Sequence, residues 1–138
     1  MIFVNLPAAD VEASSRFYEA IGAVRDERFC QAGVAASLRW SDTIVFMLLN
    51  HARFADFTPK RIVDATREVQ ALICLSADTR EEVDATLARA QAAGGTIDPP
   101  TAEEVTDFMY GRSFADPDGH GIELMWMDLE AFTHAMPA

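Results

Sequence analysis

Apolar residues along this chain follow two periods, one of two residues and one near 3.6, and the order of those periods occurs twice. The chain opens on Ile2-Phe3-Val4-Asn5-Leu6-Pro7, a short strand-like run stopped by proline, which has no backbone N–H to give to a ladder. Asp10 suits the N-cap of a helix over about residues 11–21, since a short side-chain oxygen there accepts from a first-turn amide. Ala13, Phe17, Ala20 and Ile21 form the apolar stripe of that helix, and Gly22 ends it in a left-handed conformation. Strand-like runs follow at about 24–31, 34–40 and 43–49, parted by the turn residues Ala32-Gly33 and Ser41-Asp42.

The second half repeats this order. Residues 70–76 read as an apolar strand, and Ala77-Asp78 matches Ala9-Asp10 after a shift of 68. A capping box forms from Asp78 with Glu81 or from Thr79 with Glu82. Val83, Leu87 and Ala90 share one face of the helix that follows, and Gly94-Gly95 ends it. Strand-like runs come around 96–98, 108–115 and 121–127, the last two joined by the tight-turn signal Asp116-Pro117-Asp118-Gly119. Strand, helix and strands, twice, with no one-for-one alternation, predicts α+β rather than a doubly wound sheet. The 138 residues divide into a module at about 1–50, a linker at 51–68, a module at 69–128 and a tail at 129–138, in a single domain. The linker, with Phe54, Phe57 and Pro59, either packs as a connection or doubles as a flap.

Charge narrows the partners. Eleven basic against twenty-two acidic residues leave a formal charge of -11, so no excess of Lys and Arg exists to neutralise nucleic-acid phosphates or to meet an anionic membrane. An acidic surface serves solubility, or it suits a cationic ligand. The longest apolar run, Ile44 to Leu49, is far too short for a membrane span, and no leader-like pattern opens the chain. Cys30 and Cys74 sit in strand-like surroundings without a metal or redox motif, which reads as small core residues in a reducing, cytoplasmic compartment. No phosphate loop, nucleophile elbow, CxxC pair or HExxH motif occurs.

Phe3-Val4-Asn5-Leu6-Pro7 with Asp10, Ser14, Phe17-Tyr18 and Gly22 resembles the opening of glyoxalase/bleomycin-resistance/dioxygenase (vicinal oxygen chelate) proteins. Phe57-Thr58-Pro59-Lys60, Phe108-Met109-Tyr110-Gly111 and the run from Asp116 through His120 and Glu123 to Asp128 are similar to an uncharacterised, glyoxalase-like bacterial branch. The resemblance implies tandem βαβββ modules that form a curled, cup-shaped mixed sheet with helices outside, and a homodimer. It also implies where a metal would be held: on the first and last strands of each module. Seven residues before each helix-capping Asp stand Phe3 and Ala71, and Met47 is roughly the last-strand counterpart; none is a ligand for a hard or borderline metal. Glu123 alone keeps a ligand type, and one carboxylate is short of the three or more protein ligands such sites use. The expectation is therefore no cofactor, with a divalent metal argued against. His51 opens the linker and His134 lies in the tail; His120, three residues from Glu123, belongs to a hairpin end rather than to a ligand set.

Strand alternation then draws the cup. Phe3 and Asn5 face inward with Val45, Met47 and Leu49, with Ala71, Ile73 and Leu75, and with Gly121, Glu123, Met125 and Met127. Ile2, Val4, Leu6, Ile122, Leu124 and Trp126 pack under the helices. Either this apolar face holds a ligand or it simply packs. Glu123 has three readings: a salt bridge to Arg39 or Arg112, a ligand-facing acid/base group, or a metal ligand. Phe108, Tyr110 and Arg112 share a face of the penultimate strand and either clamp a planar or anionic group or pack across strands. Two functions stay open: a non-catalytic binder of a small organic molecule in an apolar cup, and a glyoxalase-like lyase or isomerase using Glu123. The ligand-binding candidates are Phe3, Asn5, Met47, Ala71, Phe108, Tyr110, Arg112 and Met125.

Overall fold

The computed structural model describes residues 1–100 and 105–135. Its first module runs β1 (Ile2–Ala8), α1 (Val11–Ala20), β2 (Val24–Arg25), β3 (Ala35–Arg39) and β4 (Ile44–Asn50), followed by the short α2 (His51–Ala55). The second runs β5 (Leu72–Ser76), α3 (Arg80–Ala92), β6 (Thr96–Ile97), β7 (Met109–Ala115) and β8 (Gly121–Met127), followed by α4 (Leu129–Ala135). Each module makes a four-stranded mixed sheet, in the orders β1-β4-β3-β2 and β5-β8-β7-β6. The α+β class and the two modules stand, and the strands form two separate sheets in place of one continuous cup-shaped sheet. Of the expected tail, residues 129–135 form α4 and the remainder lies outside the described residues.

Three local departures from expectation have physical causes. The strand predicted over 24–31 stops after Arg25, because Asp26 takes the backbone N–H of Arg28 and turns the chain into a 3-10 segment at Glu27–Phe29. The buried face of α1 carries Val11, Ser14, Ser15, Phe17 and Tyr18, so two serines occupy positions that an apolar stripe would give to hydrocarbon. Ser15 satisfies its hydroxyl on the Val11 carbonyl at 2.7 Å, and Ser14 reaches across to Asp118 at 2.6 Å. Finally, α3 is capped by Thr79, not Asp78: the Thr79 hydroxyl accepts from the Glu82 amide at 3.0 Å and Glu82 accepts from the Asp78 amide at 2.7 Å. The structural repeat is thus one residue longer than the 68 of the sequence match, and that slip matters for the site.

One face of each sheet is covered. Phe46, Leu38, Phe114 and Ile122 are fully buried there, together with Phe17 and Tyr18 of α1. The aromatic chain crosses between modules: Tyr18 lies 5.0 Å from the Phe46 ring centroid, and Phe17 lies 6.1 Å from that of Phe114. Gly95 permits this approach, since a Cβ there would stand 2.8 Å from the Phe17 ring and 3.0 Å from two backbone carbonyl oxygens.

The hairpin turn between β7 and β8 fastens the modules further. Asp116 is buried; its Oδ1 accepts from the amides of Asp118 and His120, and its Oδ2 accepts from the Tyr18 hydroxyl at 2.9 Å. Asp118 receives the Ala9 amide at 2.8 Å as well as Ser14. His120 Nε2 lies 2.8 Å from the Pro7 carbonyl, which only accepts, so that nitrogen carries the proton. His120 is a buried hairpin-end residue, as expected. Gly119, at φ +94°, presses to within 2.6 Å of the Ala65 backbone measured from where a Cβ would be, so the linker lies against this turn.

Candidate functional site

Register decides which side chains share the open face of each sheet. In the first sheet Asn5 stands opposite Met47, and Met47 opposite Ser37, with Phe3, Val45 and Arg39 forming the neighbouring row. In the second, Cys74 stands opposite Glu123, and Glu123 opposite Ser113. Asn5–Met47–Ser37 and Cys74–Glu123–Ser113 are therefore equivalent rows, made by the same strands of the two modules. Phe3, Asn5, Met47, Glu123 and Met125 all fall on open faces, as their alternation predicts.

Ala71 does not. Because α3 is capped one residue late, Leu72 takes the place equivalent to Phe3, and Leu72, Cys74 and Ser76 share the face of Glu123. Leu75, expected inside the cup with Ala71 and Ile73, is buried on the covered side. Tyr110 and Arg112 are also on the covered side, opposite Trp126 and Leu124 in the ladder. The Tyr110 hydroxyl donates to Asp84 at 2.6 Å, and the Arg80 guanidinium lies over both the Tyr110 and Trp126 rings. Phe108 packs on Phe132 of α4 at 5.8 Å. Pleat parity sets Tyr110 and Arg112 away from Glu123, while Phe108 precedes β7 and packs on a helix instead.

Glu123 is half-buried and lacks both salt bridges weighed for it. Arg39 pairs instead with Asp42 at 3.4 Å, and Arg112 is on the other face. Its near neighbour is the Cys74 thiol, whose pKa is raised first by burial and then by the negative charge of Glu123. A thiol held protonated is a poor nucleophile, so this pair is not an activated cysteine.

The open face of the first sheet carries a concavity. A cavity of about 560 Å³ covers Phe3, Asn5, Ser37, Arg39, Val45 and Met47, and the 3-10 segment walls it with Arg28 and Phe29. A second hollow of about 350 Å³ shares Asn5, Phe29 and Met47 and extends to Arg53 and Phe57. Arg28 is neutralised by a two-point contact to Asp26 at 2.9 and 2.7 Å, which holds the Asp26 carboxyl below its usual range. Arg53 pairs with Asp56 at 3.1 Å and lies 4.7 Å over the Phe57 ring. Sequence reasoning missed Phe29 by assigning it to a strand, and missed Arg39 as a lining residue by offering it only as a partner for Glu123. The signal for Arg39 was present: it alternates with Ser37 on a strand between two turns. A third hollow, about 340 Å³, lies at the module junction between the linker and the β7–β8 turn, bordered by His51, Asp64, Asp118 and His120.

Residues 2–124 match the model of the Glyoxalase/Bleomycin resistance protein/Dioxygenase superfamily. The chain belongs to that superfamily. Among solved structures, the hypothetical protein SA1046 from S. aureus is 25% identical, with a TM-score of 0.74 over 91% of this chain and 92% of its own. A glyoxalase/bleomycin resistance protein/dioxygenase family enzyme from Burkholderia phytofirmans PsJN shares the fold at 21% identity and a TM-score of 0.73, over 91% and 97% of the two chains. So does TnmS3, an antibiotic binding protein from Streptomyces sp. CB03234, at 22% identity and a TM-score of 0.63, over 91% and 93%. No curated protein matches the sequence.

Within this glyoxalase/bleomycin-resistance framework, the donor set does not fit a metal. The first-strand positions are Phe3 and Leu72, and the last-strand positions are Met47 and Glu123: one hard donor, one thioether and two hydrocarbons, where hard or borderline metals need oxygen and nitrogen. Among the described residues no group of three or more His, Cys, Asp or Glu is arranged to hold a metal ion. None of the described helices is long and apolar enough to cross a membrane.

Proposed function

We propose that this superfamily member binds a small organic molecule on the open faces of its sheets, in a cup completed between two copies of the chain, without a standard metal site. The observation that carries the reading is the cavity of about 560 Å³ over Phe3, Asn5 and Met47. Its size and its mixture of apolar floor with few polar groups suit a ligand pocket. TnmS3, described as an antibiotic binding protein, has the same fold, which supports sequestration as a use for such a face. The edges support a homodimer: among the described residues β1 pairs with β4 alone and β5 with β8 alone, while Phe3 (58% exposed) and Leu72 (64%) present apolar surface beside them. Pairing these edges across two copies would set the row of Glu123 against the row of Met47.

A second reading keeps Glu123 as acid or base in a glyoxalase-like lyase or isomerase. It is favoured by the place of Glu123 on the open face opposite Cys74, with Arg39 paired to Asp42 and Arg112 on the other face. The test is a thermal-shift screen of small organic compounds, antibiotics included, in metal-free buffer. Hits are then re-measured by calorimetry on Glu123→Gln and assayed for turnover. Binding without turnover supports sequestration, and turnover lost in Glu123→Gln supports the enzyme. Binding that appears only after adding Zn, Ni, Mn or Fe(II) would overturn the metal-free site.

A further inference from the structure

We infer that the first-sheet cavity selects a flat, apolar molecule bearing an acidic group, an aromatic carboxylate or sulfonate, and that Arg39 holds the acidic group. This rests on the binding reading above and gives its ligand a charge and a shape. Bulk composition points the other way. With a charge of -11, a cationic ligand is the simple guess, and the long-range field of the chain favours it.

The lining does not follow the composition. Across the two joined hollows of the first sheet, three of the chain's eleven basic residues (Arg28, Arg39 and Arg53) meet one of its twenty-two acidic ones, Asp26. In a protein with twice as many acids as bases, that is a lining enriched in guanidinium groups, each with one aspartate beside it. The three arginines are not equivalent. Arg28 is engaged by Asp26 at two points, and Arg53 is engaged by Asp56 and the Phe57 ring. Arg39 makes one long contact, 3.4 Å, to an Asp42 side chain that is 98% exposed. A guanidinium has five N–H donors in a planar fork suited to carboxylate or sulfonate oxygens, so Arg39 keeps most of its capacity for a ligand. It projects from β3 into the row of Phe3 and Val45.

Shape follows from the walls. Phe29 is 62% exposed, with the Arg28 guanidinium 5.5 Å from its ring centroid, and Phe57 is 66% exposed under Arg53. An aromatic side chain left in water at a cavity rim offers a stacking surface. Phe29 borders both hollows, so a ring system lying over Met47 would reach Phe29 while its acidic substituent reaches Arg39. Salt at physiological strength screens the remote acidic surface within about 8 Å, leaving the local guanidinium to decide.

The experiment uses two planar fluorescent probes of opposite charge: 8-anilinonaphthalene-1-sulfonate and the cation thioflavin T. Each is titrated against the full chain at physiological salt, then against Arg39→Met, Arg39→Lys and Phe29→Ala. The expected result is saturable binding of the sulfonate in preference to the cation, weakened about ten-fold or more in Arg39→Met, partly restored in Arg39→Lys and weakened in Phe29→Ala. Circular dichroism checks that each variant is folded. Tighter binding of thioflavin T, or sulfonate binding that Arg39→Met leaves unchanged, overturns the inference. If neither dye binds but an uncharged compound from the thermal-shift screen does, the inference fails and the binding reading survives. If nothing binds in either experiment, both fail.

Discussion

The two sheets have the same covered face and different open faces. Beneath the helices, Val4–Phe46–Leu38 in the first module stands where Ile73–Ile122–Phe114 stands in the second, apolar at every position. On the open side, Asn5–Met47–Ser37 becomes Cys74–Glu123–Ser113. The difference separates what the fold requires from what a ligand requires. A position packed against a helix is held by the free energy of burial and tolerates little but hydrocarbon. A position on the open face has no such constraint, and its chemistry is free to serve binding. Around the first row the chain adds Arg28, Phe29, Arg53 and Phe57 as walls.

The largest expected effects fall on the shared side of this comparison. Phe46→Ala and Ile122→Ala each remove a fully buried side chain at equivalent strands. The expected cost is about 3–5 kcal/mol for Phe46 and about 2–5 kcal/mol for Ile122, read from denaturant unfolding with an unchanged slope. A cost under about 1 kcal/mol at Ile122 would break the equivalence and make the second module a loose appendage of the first.

The same division explains what was legible in the sequence. The elements, the repeat and the covered face were legible because hydrophobic period and turn chemistry report burial directly. Phe3, Asn5, Met47, Glu123 and Met125 could be set on the open face by strand alternation once the family resemblance had supplied Phe3, Met47 and Glu123 as inward positions. Ala71 failed because the count started from Asp78, and the capping choice between Asp78 and Thr79 turns on a local competition that sequence does not resolve. A slip of one residue exchanges the two faces of a strand. Tyr110 and Arg112 fall on the covered face for a reason alternation from Glu123 could have shown: an aromatic is as useful under the Arg80 guanidinium as around a ligand, and Arg112 stands opposite Leu124. Ser14 and Asp118 were invisible as a pair because the contact spans 104 residues.

A medium effect sharpens the comparison at the junction that joins the modules. Tyr18→Phe leaves a buried Asp116 oxygen without its donor, at a cost of about 1–3 kcal/mol. The pH dependence has a definite sign. Burial raises the Asp116 carboxyl above its ordinary value near 3.8, so the folded protein holds that proton more tightly than the unfolded chain. Its contribution is fully present below the ordinary value and is lost as pH rises through the raised one. Glu12, Asp26 and Asp64 are lowered, chiefly by hydrogen bonds from Arg25, Arg28 and Thr66, and act in the opposite sense: their contribution is lost as pH falls. Asp116→Asn removes the one compensating group of these four. Its melting temperature is expected to fall more steeply than that of the parent as pH is lowered toward the ordinary carboxyl value near 3.8. Parallel curves would mean that Asp116 does not titrate in the fold.

The smallest effect bears on the open row of the second sheet. Cys30 is engaged, donating its thiol to the Asp26 carbonyl at 3.2 Å and accepting from the Ser37 amide at 3.5 Å. Cys74 lies on the open face beside Glu123, exposed as a residue while its sulfur is partly shielded from water. A thiol reagent should therefore modify Cys74 first, yet slowly at neutral pH, because burial and then the neighbouring carboxylate disfavour the thiolate that reacts. Glu123→Gln removes the charge and keeps the shape, so labelling of Cys74 should quicken while that of Cys30 stays as it was. The change is modest because burial remains the larger cause. An unchanged Cys74 rate would place Glu123 out of electrostatic reach of its register partner. A ligand that slows labelling in the parent protein would instead show that the second sheet's row is part of the surface it covers.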